Sequence, residues 1–140
     1  MVDMRTYATK GGCACKIGPH ILADVLQHIQ MPSHPAVLTN ASGMEDAGVY
    51  RISDTQALVQ TVDFFTPPVG DPRVYGRVAA CNALSDVYAM GGTPISALNI
   101  VAFPVALVKE GILSTVLEGA NEVLEEAGVA LLGGHSVENE

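Results

Sequence analysis

The feature that most constrains the fold is the stretch of residues 87–108, which contains no charged side chain. A stretch of this length is long enough to cross a bilayer as a helix. Two glycines and two prolines interrupt it, namely Gly91, Gly92, Pro94 and Pro104. Because proline lacks the N–H that a helix needs and glycine commonly ends a helix, we interpret the stretch as a helix end, a turn and a buried strand. The 140 residues, 49% of them hydrophobic, suit one globular domain with its own core.

Charge and cysteine content limit the classes of partner. The formal net charge of −8 repels a polyanion, so we expect no nucleic acid partner. Residues 1–12 lack the apolar segment of a signal peptide, and the charge-free stretch does not indicate a membrane span. Three cysteines are an odd number for a disulfide framework. We therefore expect a cytoplasmic protein that binds neither nucleic acid nor a membrane.

The spacing of apolar and small residues predicts alternating helices and strands. Helices are predicted for residues 19–31, 73–90 and 112–127. Strands are predicted for residues 37–38, 48–53, 57–65, 95–103 and 129–132. We expect the strands at 48–53 and 57–65 to form a hairpin, and those at 57–65 and 129–132 to be buried. The order indicates an α+β fold with helices packed against one sheet.

The two ends of the chain differ from its middle. Residues 1–18 contain several glycines and no apolar periodicity, so we predict a flexible arm that carries Gly, Cys and Lys residues. Residues 19–140 are then the α+β domain. The chain stops just after a Gly-Gly pair, where most folds continue into another strand. We expect either a truncated chain or a separate N-terminal domain.

Three aspartates, Asp46, Asp63 and Asp86, each stand among apolar residues. A buried carboxylate costs several kcal/mol unless a cation or hydrogen bonds compensate it. One interpretation is that they converge on Mg²⁺, which prefers oxygen ligands. The other is that each one caps a helix or a turn. The three together favour the cation, but the pattern leaves both interpretations open.

The arm around Cys13 combines glycines, thiols and lysines. Glycines let a loop close over an anion, and a nearby lysine favours the reactive thiolate. The alternatives are a flexible terminus or an incomplete soft-metal site, since Cys-x-Cys lacks a second pair of ligands. Residues 133–136 have the sequence Gly-Gly-His-Ser and either cradle a phosphate or form a turn, with the turn favoured. We expect Cys81 to pack in the core.

Several segments together resemble the N-terminal half of the selenophosphate synthetase family. They are GGCACKIGP, EDAGVY, LVQTVDFFTPPVGDP, GRVAACNALSDVYAMGGTPISALNIVAFP and GGHS. The resemblance extends from Gly11 to Ser136. The wider superfamily, which includes aminoimidazole ribonucleotide synthetase and thiamine monophosphate kinase, shares the aspartate-centred segments but not the GCxCK arm.

The resemblance implies an ATP-dependent transfer of a phosphoryl group to selenide, giving selenophosphate, AMP and phosphate. It implies ATP as a substrate and Mg²⁺ as the metal. Cys13 and Lys16 match the catalytic residues, and Asp46 and Asp86 match magnesium ligands. The implied nucleotide-binding residues are Lys16, Gly43, Met44, Glu45, Asp63, Asp86, Gly134, His135 and Ser136. Asn82, Gly91 and Gly92 lie in the same family segment.

The resemblance also implies how the domain assembles. The family fold is α+β, with a mixed sheet that has helices on one face and forms half of an intersubunit β-barrel. We therefore expect a homodimer in which residues 134–136 of one chain reach the nucleotide site of the other. Family members are more than twice as long, and their C-terminal domain supplies a further aspartate, so we expect this fragment to be inactive alone. Glu45 stands where some relatives carry aspartate, which leaves the number of metals open.

Two other functions stay open at this stage. One is another ATP-dependent kinase or ligase of the same superfamily, for which the Cys and Lys residues of the arm would be incidental. The other is a non-catalytic dimerisation or thiol-redox module. Whether selenide arrives free or from a selenium-delivery protein is also open.

Overall fold

The computed structural model describes residues 2–7, 11–12, 16–39 and 45–139. A short 3₁₀ helix at Met4–Tyr7 precedes four α-helices and four strands. The α-helices are α1 (Pro19–Leu26), α2 (Pro72–Ala89), α3 (Val105–Lys109) and α4 (Ile112–Glu126). The strands are β1 (Gly48–Arg51), β2 (Ala57–Gln60), β3 (Ser96–Phe103) and β4 (Ala130–Glu138). The α+β class is confirmed, and within the described ranges no helix is long and apolar enough to cross a membrane.

Local signals in the sequence set the ends of α2. The Asp71 carboxylate accepts a hydrogen bond of 2.9 Å from the Val74 backbone N–H, and Pro72 occupies the first helical turn. Both features are favoured at a helix N-terminus. After Met90, Gly91 adopts a φ of 73°, a left-handed conformation that glycine tolerates and that ends a helix. The helix therefore lies within one residue of the prediction at each end.

Helices α2 and α4 cross at two glycines. A Cβ atom on Gly76 would collide with the backbone of Val116, and one on Gly119 would collide with the backbone of Arg73. The absence of side chains at these positions lets the two helix backbones approach closely. Either glycine changed to alanine would force the helices apart, so the crossing depends on both.

Charged side chains bridge the same two helices at the surface. Arg73 and Arg77 of α2 both form ion pairs with Glu122 of α4, and Arg77 also pairs with Glu126. Hydrogen bonds from Arg73 and then Arg77 lower the pKa of Glu122. In return, the bond to Glu122 raises the pKa of each arginine. Exposed pairs of this kind add little stability individually, but here they connect the two helices at several points.

The strands form two separate pairs rather than the single sheet that we expected. Strands β1 and β2 are antiparallel, with Gly48 opposite Gln60, which confirms the hairpin, and an isolated bridge joins Val37 to Tyr50. Strands β3 and β4 are parallel and are connected through α3 and α4. In the described residues each sheet has two strands. Hydrophobic pattern predicts strands but does not determine which strands pair, and this is where the prediction was wrong.

Most buried side chains of the described residues belong to two clusters. Leu84, Val123, Leu124 and Val129 form the first. Met4, Phe103 and Leu107 form the second. Met4 is only 2% exposed, and its N–H donates to the Gly70 carbonyl oxygen at 2.9 Å. The start of the N-terminal arm is therefore docked on the domain, which differs from the expectation of mobility there.

Several residues that we expected to be buried are exposed. Strand β2 ends at Gln60, and beyond it Val62 and Phe64 are 65% and 74% exposed. Every residue of β4 is exposed, although Val129 just before it is buried. Residues 133–136 belong to β4 and do not form a turn, and Cys81 is exposed rather than in the core. These expectations were wrong because an apolar sequence indicates a tendency to burial but not what covers the residue.

Candidate functional site

An extended segment, residues 61–65, lies antiparallel along α2. Thr61 contacts Asp86, Asp63 contacts Asn82, and Phe65 contacts Tyr75. Residue numbers thus rise along the segment while they fall along the helix. Thr61, Asp63 and Phe65 share one side of the extended chain, since side chains alternate, and these are the half-buried positions of the segment. Asp63 therefore lies against one turn of α2, at Asn82, and Asp86 lies on the next turn of the same helix surface.

Both carboxylate oxygens of Asp63 have partners. The Asn82 side-chain amide Nδ2 donates to Oδ2 at 2.7 Å, and Lys16 Nζ lies 3.4 Å from Oδ1. The Asp63 side chain is 14% exposed and that of Lys16 is 59% exposed. The negative charge of Asp63 is thus compensated by one cation from the arm and one amide from α2. The Lys16 side chain keeps most of its surface open to solvent.

Asp86 is held differently. The Thr61 hydroxyl donates to Asp86 Oδ2 at 2.8 Å, and both residues are half-buried. The sequence analysis did not identify Thr61. Its position two residues before Asp63 in a β-rich run was the available signal, because residues two apart share one side of an extended chain.

The N-terminal arm approaches the site along residues 66–70. The Gly12 N–H donates to the Thr66 carbonyl oxygen at 3.0 Å. A Cβ atom on Gly11 would lie 2.8 Å from the Pro67 carbonyl oxygen, which is closer than side-chain atoms approach. Glycine at this position therefore allows the two chain segments to pass in contact. Met4, Gly11 and Gly12 thus contact residues 66–70, and Lys16 lies beside Asp63.

Three predicted site residues lie outside the described residues: Cys13, Gly43 and Met44. Cys13 follows Gly12 and precedes Lys16 in the chain, so both of its described neighbours border the Asp63 region. Glu45 and Asp46 precede β1, and both are exposed. The expectation that Asp46 is a buried carboxylate is therefore wrong, because the chain at this point lies at the surface ahead of the hairpin.

The Gly-Gly-His-Ser segment lies on the other sheet. Gly134, His135 and Ser136 pair with residues 99–101 of β3, and all three are exposed. A Cβ atom on Gly134 would collide with the backbone of Asn99, which explains a glycine where the register shifts. The described contacts place this segment on β3 and not at Asp63 or Asp86.

The donor set suits a metal that is only partly held by protein. In the parts of the chain that the structure describes, no group of three or more His, Cys, Asp or Glu side chains lies close enough together to hold a metal ion. Mg²⁺ commonly uses only one or two carboxylates together with substrate phosphates and water. The half-buried oxygen donors of Asp63 and Asp86 fit that mode of binding. They do not form a closed structural metal site, in which protein side chains supply all the ligands.

One known protein family matches most of this chain. Residues 44–140 match the family described as AIR synthase related protein, N-terminal domain. That range contains both aspartates, Asn82, Thr61 and the whole of α2, and it excludes the arm with Lys16.

Curated relatives match both the domain and the arm. A selenide, water dikinase of Nitrosomonas eutropha is 47% identical over 132 residues, covering 94% of this chain and 38% of the relative. One of Pelobacter propionicus is 50% identical over 135 residues, covering 96% and 39%. One of Desulfitobacterium hafniense is 51% identical over 139 residues, covering 98% and 40%. The chain thus spans about two-fifths of the length of the relatives that it matches.

Proposed function

The chain belongs to the AIR synthase related protein family, whose N-terminal domain it contains, and from this we propose that it is the nucleotide-binding part of an enzyme that makes selenophosphate. In the proposed reaction ATP loses two phosphoryl groups and leaves as AMP. One phosphoryl group is transferred to selenide and the other to water, which gives selenophosphate and phosphate. The similarity to proteins named selenide, water dikinase supports this reaction over another kinase or ligase.

The observation that carries the proposal is the contact of Lys16 and Asn82 with Asp63. It joins the arm, which lies outside the matched family range, to the aspartate and to α2 within that range. A lysine ammonium is a point charge that binds phosphate, and Lys16 is exposed enough to exchange Asp63 for a nucleotide phosphate. In the proposed mechanism Lys16 binds the transferred phosphoryl group and stabilises its developing charge.

We propose Asp86 and Asp46 as the residues that hold Mg²⁺, with Asp63 beside the nucleotide phosphates. When bound, Mg²⁺ supplies positive charge that offsets the triphosphate in a protein of net charge −8. Asp86 presents a carboxylate on the α2 surface, and Asp46 lies on an exposed stretch that is able to approach a ligand. Glu45, Gly43 and Met44 complete the proposed nucleotide loop.

The remaining roles follow from the arm and the second sheet. We propose Cys13 as a catalytic residue that acts at the selenium atom in its thiolate form, without a change in the oxidation state of selenium, since thiolates are the reactive form of cysteine. Gly134, His135 and Ser136 are proposed to contact nucleotide bound to the partner of a homodimer, whose sheets close into a β-barrel. Exposed apolar side chains on β3 and β4, including Leu98, Ile100 and Leu132, support such an interface. We place the protein in the cytoplasm, with a selenium-delivery protein as a further partner.

The test measures whether the full-length protein that the gene encodes forms AMP from ATP in a selenide-dependent manner. We expect AMP only when selenide and Mg²⁺ are both present, and the selenium-phosphorus product is detected by ³¹P NMR. Lys16→Gln, which removes the charge but keeps a similar length, should abolish AMP formation. AMP formed equally without selenide, or transfer to another metabolite, would contradict the proposal.

A further inference from the structure

Asp63 and Asp86 differ in how their charges are compensated. Asp63 has a cation, Lys16, on one oxygen and an amide donor on the other. For the Asp86 carboxylate, the one hydrogen bond among residues 2–7, 11–12, 16–39 and 45–139 is that from the neutral Thr61 hydroxyl to Oδ2. The Thr61 hydroxyl is a neutral donor, so it brings no positive charge to the Asp86 carboxylate.

The Thr61 hydroxyl also fixes the direction of this carboxylate. It comes from a different element, 25 residues earlier in the chain, so it fastens the Asp86 side chain to residues 61–65 as well as to α2. Because Oδ2 accepts this bond, Oδ1 is the oxygen of Asp86 that is more open to a ligand. Groups that hydrogen-bond to a metal-ligating carboxylate hold it in place, and their loss commonly costs about 10- to 100-fold in metal affinity.

We propose that Thr61 is a positioning residue that orients Asp86 to bind Mg²⁺ with the nucleotide. This inference rests on the proposed function, because it takes the magnesium nucleotide as the ligand. The hydroxyl acts through Asp86 and does not itself touch the substrate. If the hydroxyl positions Asp86, its loss changes the magnesium concentration that nucleotide binding requires. If its role is purely structural, its loss changes only the stability of the fold.

The experiment uses calorimetry to measure how binding of a non-hydrolysable ATP analogue depends on Mg²⁺. It uses the full-length protein that the gene encodes. Thr61→Val removes the hydroxyl at nearly constant shape, Thr61→Ala removes it without adding a methyl group, and Thr61→Ser retains it. Thr115→Val is the matched control, since Thr115 is also half-buried and its hydroxyl donates to the Gly111 carbonyl oxygen at 3.2 Å, within α4. Thermal melts are recorded for every variant.

We expect the half-saturating Mg²⁺ concentration to rise about 10- to 100-fold in Thr61→Val or Thr61→Ala. It should change by less than about threefold in Thr61→Ser and Thr115→Val. If the variants lacking the hydroxyl match Thr115→Val in magnesium dependence, Thr61 does not position the ligand and the inference is overturned, while the proposed function stands. If the unmodified protein binds the analogue equally well without Mg²⁺, or does not bind it, both the inference and the proposed nucleotide site are overturned.

Discussion

At the scale of single residues, the candidate site contains two aspartates in unequal environments. Asp63 already has Lys16 and Asn82 as partners, and Asp86 has Thr61. Bound Mg²⁺ would therefore compensate Asp86 more than Asp63. Changes at Asp86 should affect binding of the magnesium nucleotide more than they affect the fold.

Asp86→Asn tests this directly. The amide oxygen still accepts the Thr61 hydrogen bond, so α2 should stay folded, and loss of an uncompensated half-buried charge should leave the melting temperature unchanged or higher. Magnesium-dependent nucleotide affinity should fall at least about tenfold, as expected for loss of a charged metal ligand. Calorimetry at saturating Mg²⁺ measures it, and Asp54→Asn in the exposed β1–β2 turn is the control. Equal affinity in the Asp86 and Asp54 variants would exclude Asp86 from the site.

The three cysteines should differ in their effects. Cys13→Ser is expected to abolish selenide-dependent turnover with little effect on ATP binding, and Cys15→Ser to be milder. Cys81 is exposed on α2, so Cys81→Ser should change stability by less than about 0.5 kcal/mol, as for other surface substitutions. Steady-state AMP formation and thermal melts give both quantities. A fully active Cys13→Ser protein would remove Cys13 from the mechanism.

At the scale of elements, the arginine and glutamate side chains between α2 and α4 predict a pH dependence. Arg73 and Arg77 hold the pKa of Glu122 below its ordinary value of 4.5, so folding favours the charged carboxylate. Its contribution to the free energy of unfolding is complete above about pH 4.5 and is lost as the pH falls through the lower folded pKa. In Glu122→Gln the decline in stability with acid should therefore be shallower.

Urea unfolding at a series of pH values between about 6 and 2.5 measures this slope. Glu118→Gln is the control, because its carboxylate lies 3.9 Å from Arg73 Nη1 and is 63% exposed. Salt should reduce the difference between the Glu122 variant and the unmodified protein, since exposed pairs are screened. Parallel slopes for all three proteins at low salt would contradict the expected role of Glu122.

The sequence predicted elements better than it predicted their arrangement. Helix α2 was located from the spacing of its small and apolar residues and from Gly91, which follows its end, whereas the N-terminal signals Asp71 and Pro72 were not used. The hairpin was predicted, but the separation of the strands into two sheets was not, and burial of residues 57–65 was predicted wrongly, since both depend on distant parts of the chain. The site shows the same division: Asp63 and Asp86 were identified by their residue type, but Thr61 became apparent only from its contact with Asp86.

At the scale of the whole molecule, strand β3 is covered by the core on one side only. Ala97, Val101 and Phe103 contact the two core clusters, whereas Leu98 and Ile100, which alternate with them, are 66% and 55% exposed. An apolar surface of this kind is commonly covered by another protein surface, and two-fold symmetric dimers are the commonest soluble assembly. This favours the proposed homodimer.

Ile100→Glu should therefore weaken dimerisation, because it places a charge in the middle of the uncovered sheet face. Sedimentation at micromolar concentration should give a dimer for the unmodified protein and mainly monomer for this variant. Ile21→Glu on α1, where Ile21 is similarly exposed at 53%, is the control and should remain dimeric. A monomeric unmodified protein would show that this face needs no second copy.

The antiparallel contact of residues 61–65 with α2 also constrains how many residues separate the contacting side chains. Two residues of extended chain advance about 6.6 Å, and four residues of helix advance about 6 Å. The distance from Thr61 to Asp63 along the segment therefore nearly equals the distance from Asn82 to Asp86 along the helix. Inserting one residue between Asn82 and Asp86 would turn Asp86 by about 100° around the helix axis and separate it from Thr61. Insertions between Phe65 and Asp71 leave both intervals intact. The two short intervals must therefore keep their lengths together, whereas a change in the loop between Phe65 and Asp71 would act on its contacts with Met4, Gly11 and Gly12.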